Sequence, residues 1–274
     1  MTNMNESSAT KQKGKPKKFI RTPIKGTKYT VMVSSAKGGV GKSTFAVNLA
    51  FALKNLGKKV GILDADIFGP SLPKLIGKNV KPKTENGKAI IPVDGYGIQC
   101  MSMGFLVGET IPMIWRGPMV ISAIKTLTEK VLWKDLDYIV IDMPPGTGDT
   151  QLTFAQDVKI DGAIIISTPQ DIALLDVKRG IQMFDRTEIN IIGLIDNMSF
   201  FKGDDGKKYN IFGEGGVENV SKEFNKAFLG KIPLHQDLRI SADKGVPLTL
   251  SSPDHEISLM FKEIAKKITE KFKN

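Results

Sequence analysis

Short apolar runs alternate with longer stretches of helical periodicity from about residue 29 to the end of the sequence. Tyr29–Val33 reads as a strand, and a glycine-rich loop separates it from a helix over about Ser43–Asn55. That helix is apolar on nearly every face (Phe45, Val47, Leu49, Phe51, Leu53), which predicts burial against a sheet. A second strand is expected at Lys59–Leu63, ending at Asp64. An irregular section from Ile67 to Met113, broken by Gly and Pro, holds short strands at Ala89–Ile91 and Ile98–Met103. Beyond it the pattern predicts a helix over Met119–Trp133 and a strand at Tyr138–Ile141 ending at Asp142. Strand Ala163–Ser167, helix Ile172–Phe184 and strand Ile189–Ile195 continue the alternation. This order predicts an α/β fold, one domain over 29–274 with a mostly parallel sheet flanked by helices on both faces.

The loop between the first strand and helix carries the chemistry. Lys37-Gly38-Gly39-Val40-Gly41-Lys42-Ser43-Thr44 follows a strand and opens a helix, the arrangement of a phosphate cradle. Its glycines let several backbone N–H groups converge on one anion, and the helix adds its positive dipole end. Lys42 is expected to meet the terminal phosphates of a nucleoside triphosphate, with the Ser43 hydroxyl on Mg²⁺. Ala36 stands where the common form of this loop has glycine, and Lys37 is an additional cation. Lys37 either points to solvent or reaches a second nucleotide held by a partner subunit.

Two acidic strand ends complete the constellation. Asp142 closes an apolar strand and is expected to reach Mg²⁺, through water. Asp64 and Asp66 are two residues apart; with strand geometry maintained, both carboxylates leave the same face. One would orient the attacking water while the other holds the loop or the metal shell.

Composition adds a frame. The chain has 274 residues and a formal net charge of +10. Residues 1–28 hold eight Lys and Arg against Glu6 alone, a net of +7, and read as a basic disordered tail with a solubilising role. Contact with nucleic acid or an acidic membrane surface is an alternative for it, and no specific nucleic-acid partner is expected. No apolar run reaches the ~18 residues of a membrane span, and no signal peptide is expected. The single cysteine, Cys100, excludes an intramolecular disulfide, fits a reducing cytoplasm, and is expected in a buried strand between Ile98 and Met101. Ile257, Met260, Phe261, Ile264, Ile268 and Phe272, with interleaved lysines, form either the last crossover helix or a basic amphipathic helix for weak contact with a membrane surface.

Further blocks are SSAKGGVGKST (34–44), DADIFGPSLPKLIG (64–77), RGPM (116–119), IDMPPGTGD (141–149), NMSFF (197–201), IFGEGG (211–216) and KIPLHQDLR (231–239). On these the chain resembles the Mrp/ApbC family of deviant Walker A ATPases, related to the Min and Par positioning ATPases and to nitrogenase iron protein. The resemblance implies a homodimeric, Mg-dependent P-loop ATP hydrolase that transfers iron–sulfur clusters to apoproteins, with apo clients and cluster scaffold proteins as partners. It implies catalytic roles for Lys37, Lys42, Asp66 and Asp142, with Lys37 acting across the dimer and Asp66 near the attacking water. It places the nucleotide on residues 37–44, with Asn197 and the backbone around Ile232-Pro233 at the adenine. Asp149 would lie in a loop that couples phosphate state to the subunit interface.

The chain departs from that family after Asn197-Met198-Ser199. Most members carry a Cys-x-x-Cys pair there, and two subunits combine four thiolates around a 4Fe-4S cluster. Here the positions are Gly203 and Gly206, within Lys202-Gly203-Asp204-Asp205-Gly206-Lys207, which reads as a tight polar turn. Asp204 and Asp205 are hard oxygen donors and do not replace soft thiolates. Restoring cysteines at 203 and 206 is expected to restore the site. Three classes follow: a cluster-maturation ATPase working with ligands from its partners, a Min/Par-like positioning or membrane-surface ATPase, and a regulatory nucleotide-binding dimer with negligible turnover.

Overall fold

The computed structural model describes residues 20–107, 117–146 and 148–273. In chain order the elements are β1 (Thr27–Ser34), α1 (Lys42–Asn55), β2 (Val60–Asp64), α2 (Leu72–Leu75), β3 (Thr84–Glu85), β4 (Ala89–Ile90), β5 (Val93–Asp94) and β6 (Gln99–Ser102). Next come α3 (Met103–Val107), α4 (Gly117–Glu129), β7 (Leu136–Asp142), α5 (Asp149–Asp157), β8 (Gly162–Ser167), α6 (Asp171–Arg186) and β9 (Ile191–Lys202). The chain finishes with β10 (Lys208–Tyr209), α7 (Gly216–Glu223), β11 (Phe228–Leu234), α8 (Gln236–Lys244), α9 (Leu248–Ser251) and α10 (Glu256–Lys271).

Among the described residues, the main sheet runs β10-β9-β8-β1-β7-β2-β6-β5, with β11 also paired to β9. Its central strands are parallel, while β5 and β10 run antiparallel at the two margins. β2 and β8 are wholly buried, as are β7 apart from Asp137 and β1 from Thr30 on, so they are apolar runs rather than alternating ones. The chain leaves β1 toward β2 and returns to place β7 between them, with β8 on the other flank. This reversal of direction opens a crevice at the carboxyl ends of β1 and β7, where ligands bind in open α/β sheets.

α1 is buried from Phe45 to Leu53, as its all-round apolar pattern predicts. Its main helical partner is α10, whose Ile257, Phe261, Ile264 and Ile268 are buried. Phe261 meets Phe45 at 5.4 Å between ring centroids. The apolar side of the carboxyl-terminal helix is therefore inside the protein and cannot serve a membrane surface. No helix among the described residues is long and apolar enough to cross a membrane. At the start of β1, Tyr29 stacks on Phe272 with centroids 4.7 Å apart and donates its hydroxyl to the Phe272 carbonyl.

Beyond shifts of one or two residues at other element ends, three differences from the sequence expectation stand out. The last residues of the expected tail, 20–28, are ordered parts of the fold. Thr22 pairs with Val158, Arg21 donates to the Ala155 carbonyl at 2.9 Å, Ile24 is buried, and Thr27 and Lys28 open β1. Backbone pairing and one buried isoleucine outweigh the polar composition there. Residues 1–19 lie outside the described residues. The helix expected to reach Trp133 stops at Glu129, because residues 130–132 exchange backbone hydrogen bonds with Ile90. β9 starts two residues later than expected and runs on to Lys202, carried by pairing with β11 and β10.

Candidate nucleotide site

The loop 35–41 leaves β1 at Ser34 and turns into α1 through Gly41, whose φ of 82° is left-handed. A Cβ at Gly41 would also lie 2.5 Å from the Asn197 side-chain nitrogen, so both backbone and space demand glycine. Asn197 is buried and donates from Nδ2 to the Val40 carbonyl at 2.7 Å, bracing the loop from β9. Ile232 is the β-register partner of Asn197, so the two segments that the resemblance assigns to the adenine are neighbours in the sheet. Lys37, Gly38 and Gly39 are exposed at the loop's tip, and Ser43 and Thr44 are half-buried in the first turn of α1.

Lys42 is buried, with Nζ 2.5 Å from Asp142 Oδ1 and 3.3 Å from Ser43 Oγ. One short vector thus links the loop's lysine, the first-turn hydroxyl and the acidic end of β7. Burial pushes the Asp142 carboxyl up, and the Lys42 ammonium pulls it back toward the charged form. Oxygen donors from Ser43 and Asp142, side by side, suit a hard divalent cation such as Mg²⁺.

Asp64 and Asp66 do not share one direction, because β2 ends at Asp64 and its alternation stops there. Asp64 is buried and accepts hydrogen bonds from the Ser71 and Leu72 amides and the Ser102 hydroxyl, at 2.9–3.0 Å. Burial, followed by the charge of Asp142, raises it to about 7. It fastens the 66–72 loop from below. Asp66 is half-buried, accepts from the Gly69 amide at 3.2 Å, and lines a cleft with Phe68, Pro144 and Pro145. Of the two acids, only Asp66 faces that cleft.

The loop after β7 is strapped to β1 and the phosphate loop. The Met143 amide donates to the Val33 carbonyl at 3.1 Å and the Gly146 amide to the Ser35 carbonyl at 2.9 Å. Arg116 and Thr147 fall outside the described residues.

The turn at 203–206 is as tight as its sequence predicts. The Gly206 amide donates to the Gly203 carbonyl at 2.9 Å, and the Gly203 amide to the Lys207 carbonyl at 3.0 Å. A Cβ on Gly203 would lie 2.9 Å from the Tyr209 ring and from Asp205 Oδ1, while Gly206 has φ of 76°. Two cysteines would not slip into this turn unaltered. Cys100 is buried in β6, and desolvation drives its thiol far above the usual range, so it offers no thiolate.

Sequence reasoning missed two arrangements. The chain's two histidines meet edge to face at 5.1 Å, each capping a helix. His235 Nδ1 accepts from the Asp237 amide of α8 and His255 Nδ1 from the Ile257 amide of α10, both at 3.2 Å. Those caps leave the hydrogen on Nε2, which in His255 lies 3.2 Å from Asp237 Oδ2. Both rings thus act as helix caps, which engages each Nδ1 lone pair. Asp196, on β9, is buried with both carboxylate oxygens unpartnered, and burial raises it to about 6. The neighbouring Lys231 opposes that shift and Glu218 adds to it.

Comparison with known proteins bears on this geometry. A family model described as ParA, NUBPL iron-transfer P-loop NTPase, matches residues 26–269. The iron-sulfur cluster carrier protein of Escherichia coli K12 is 46% identical over 247 residues, covering 89% of this chain and 67% of its own length. The iron-sulfur cluster transfer protein NUBPL of Dictyostelium discoideum is 47% identical over 251 residues, covering 90% of this chain and 78% of that protein. Among solved structures, a nucleotide-binding protein from Archaeoglobus fulgidus in complex with ADP aligns with a TM-score of 0.71 at 37% identity. The match spans 80% of this chain and 87% of that one.

Proposed function

We propose that this chain, which belongs to the NUBPL iron-transfer P-loop NTPase family, is a slow Mg-dependent ATPase that works as a homodimer to deliver iron–sulfur clusters to apoproteins. The observation that carries the reading is the buried Lys42–Asp142 contact at the mouth of the glycine loop, with Asp66 on the rim of the adjoining cleft. On ATP binding, Lys42 exchanges the carboxylate for the terminal phosphates, and loop amides with the α1 dipole hold the remaining charge. Ser43 and Asp142 would hold Mg²⁺, which when bound neutralises charge developing on the phosphates. Asp66 orients the attacking water. Lys37, exposed at the tip of the loop, supplies its charge to the nucleotide of the partner subunit.

The cluster is cargo. A 4Fe-4S cluster takes four thiolates, and the sequence offers only the buried Cys100. The thiolates must therefore come from a client, a scaffold protein or a small thiol. On this reading ATP turnover times the hand-over between partners rather than a cluster stored on this chain.

The test is an anaerobic assay that supplies a thiol-bound cluster and an apo 4Fe-4S protein, with and without this chain and MgATP. Faster maturation of the apo protein that depends on MgATP and is lost in Lys42→Ala is the expected result. Phosphate release without any effect on maturation would leave an ATPase and remove the cluster role.

A further inference from the structure

Gln151, the third residue of α5, is 1% exposed, and both ends of its amide are engaged. Nε2 donates to the Pro144 carbonyl at 2.6 Å, and Oε1 accepts from the Ser34 hydroxyl at 3.3 Å. The orientation of the amide follows from chemistry: Pro144 can only accept, so Nε2 must face it and the oxygen must face Ser34. A buried amide is costly unless both halves are satisfied, and this one is satisfied by partners on two different elements.

The two partners matter more than the bonds. Ser34 is the last residue of β1 before the phosphate loop, and Pro144 stands two residues after Asp142. Pro144 and Pro145 have no N–H, so the 143–146 loop has few backbone donors with which to anchor itself. Its remaining amides, from Met143 and Gly146, already go to Val33 and Ser35. Gln151 adds the tie that α5 makes to the same stretch of β1, and it lies in the lining of the Asp66 cleft.

We propose that Gln151 is a positioning residue for hydrolysis, resting on the ATPase reading above: it holds the 143–146 loop in register with the phosphate loop, so that Asp142 and the cleft keep one geometry. Gln151 is buried and both ends of its amide are already held by protein partners, so it has no free polar arm to offer a nucleotide. Its loss should therefore spare nucleotide affinity and harm the chemical step.

The experiment uses the full chain with two substitutions. Gln151→Met keeps the volume and removes both polar arms. Gln151→Glu replaces the donor by an acceptor that can face Pro144 only when protonated. Phosphate release should show KM for MgATP within about twofold of the parent and kcat lower by at least about tenfold in Gln151→Met. In Gln151→Glu the deficit in kcat should shrink as pH falls, since a protonated carboxyl can donate to Pro144 while its other oxygen faces Ser34. Hydrogen exchange at the Met143 and Gly146 amides, measured without nucleotide, should accelerate in Gln151→Met while α1 amides stay unchanged. A folded Gln151→Met with parental kcat and parental exchange overturns the proposal. So does a variant whose kcat falls only together with nucleotide affinity and global stability. If the parent chain shows no turnover at all, the ATPase reading fails and so does Gln151's role in hydrolysis. The exchange measurement then reports separately whether the residue fastens the loop.

Discussion

Lys42 and Asp142 are 100 residues apart in sequence and 2.5 Å apart in the fold, both shut away from solvent. Each is the other's compensation for burial, so neither can leave without a substitute. On the proposed reading a nucleotide with its cation would provide both substitutes at once: phosphate for the lysine and metal for the carboxylate. Lys42→Ala should therefore abolish productive ATP binding. It should also cost the nucleotide-free protein on the order of 3 kcal/mol, since Asp142 is left buried alone. Removing both partners together should recover part of that loss. Equilibrium unfolding of the two singles and the double, with a nucleotide-binding assay, checks both statements.

Lys37 should separate binding from hydrolysis. Lys37→Ala is expected to bind ATP almost normally and to hydrolyse it poorly. In mixed dimers with Lys42→Ala, one intact phosphate site faces an intact Lys37 from the other subunit, and turnover should return. Mixed dimers that demonstrably form without regaining hydrolysis would show that Lys37 acts within its own chain or not at all.

Asp196 makes stability depend on pH in a defined sense. Its carboxyl is raised from 3.8 to about 6 in the fold, so the folded state favours the protonated form. That contribution is full below the unfolded value and is lost as pH rises through about 6. Asp196→Asn should thus gain about 2–3 kcal/mol relative to the parent on going from pH 4 to pH 7, with other titrating groups cancelling in the comparison. Chemical denaturation at the two pH values measures it, and a difference that does not change with pH would refute the assignment.

The glycine turn sets terms for restoring thiolates. Gly203→Cys with Gly206→Cys is the substitution that the sequence spacing suggests. Position 206 now carries a left-handed penalty of about 1–2 kcal/mol, and position 203 meets the Tyr209 ring. The double variant should be less stable and take up iron poorly. Adding Tyr209→Ala should raise uptake toward about four irons per dimer. Iron counting after anaerobic reconstitution decides it.

His255→Ala should cost about 1 kcal/mol through the lost α10 cap, and the loss should persist in chelator. Stability that instead rises with added zinc in the parent, and not in the variant, would mean the imidazoles bind metal rather than helix ends.

What could be read from the sequence divides by sequence separation. The strand, glycine loop and helix at residues 27–55 are contiguous, so local pattern was enough to place Lys42 and Ser43 at the start of α1, and Asp142 at the end of its own strand. The turn at 203–206 was legible for the same reason. The contacts that hold the cradle in place were not. Asn197 reaches Val40 across 157 residues and Gln151 reaches Ser34 across 117. A buried glutamine in a short helix carries no periodic signal that would distinguish it from a surface one. The Asp64 and Asp66 pair misled because extrapolating strand alternation past residue 64 assumed a strand that stops there. Composition misled at residues 20–28, where a few backbone pairings order a segment that looks like tail.

The stacking of Tyr29 on Phe272 has a practical consequence for handling this protein. It brings the beginning of the first strand and the end of the last helix to the same rim of the sheet, opposite the end where β1 releases the glycine loop. A fluorophore, affinity handle or solid support attached beyond Phe272 would sit a full strand length away from the nucleotide. Immobilised protein should therefore keep the glycine-loop edge of the sheet open to ATP.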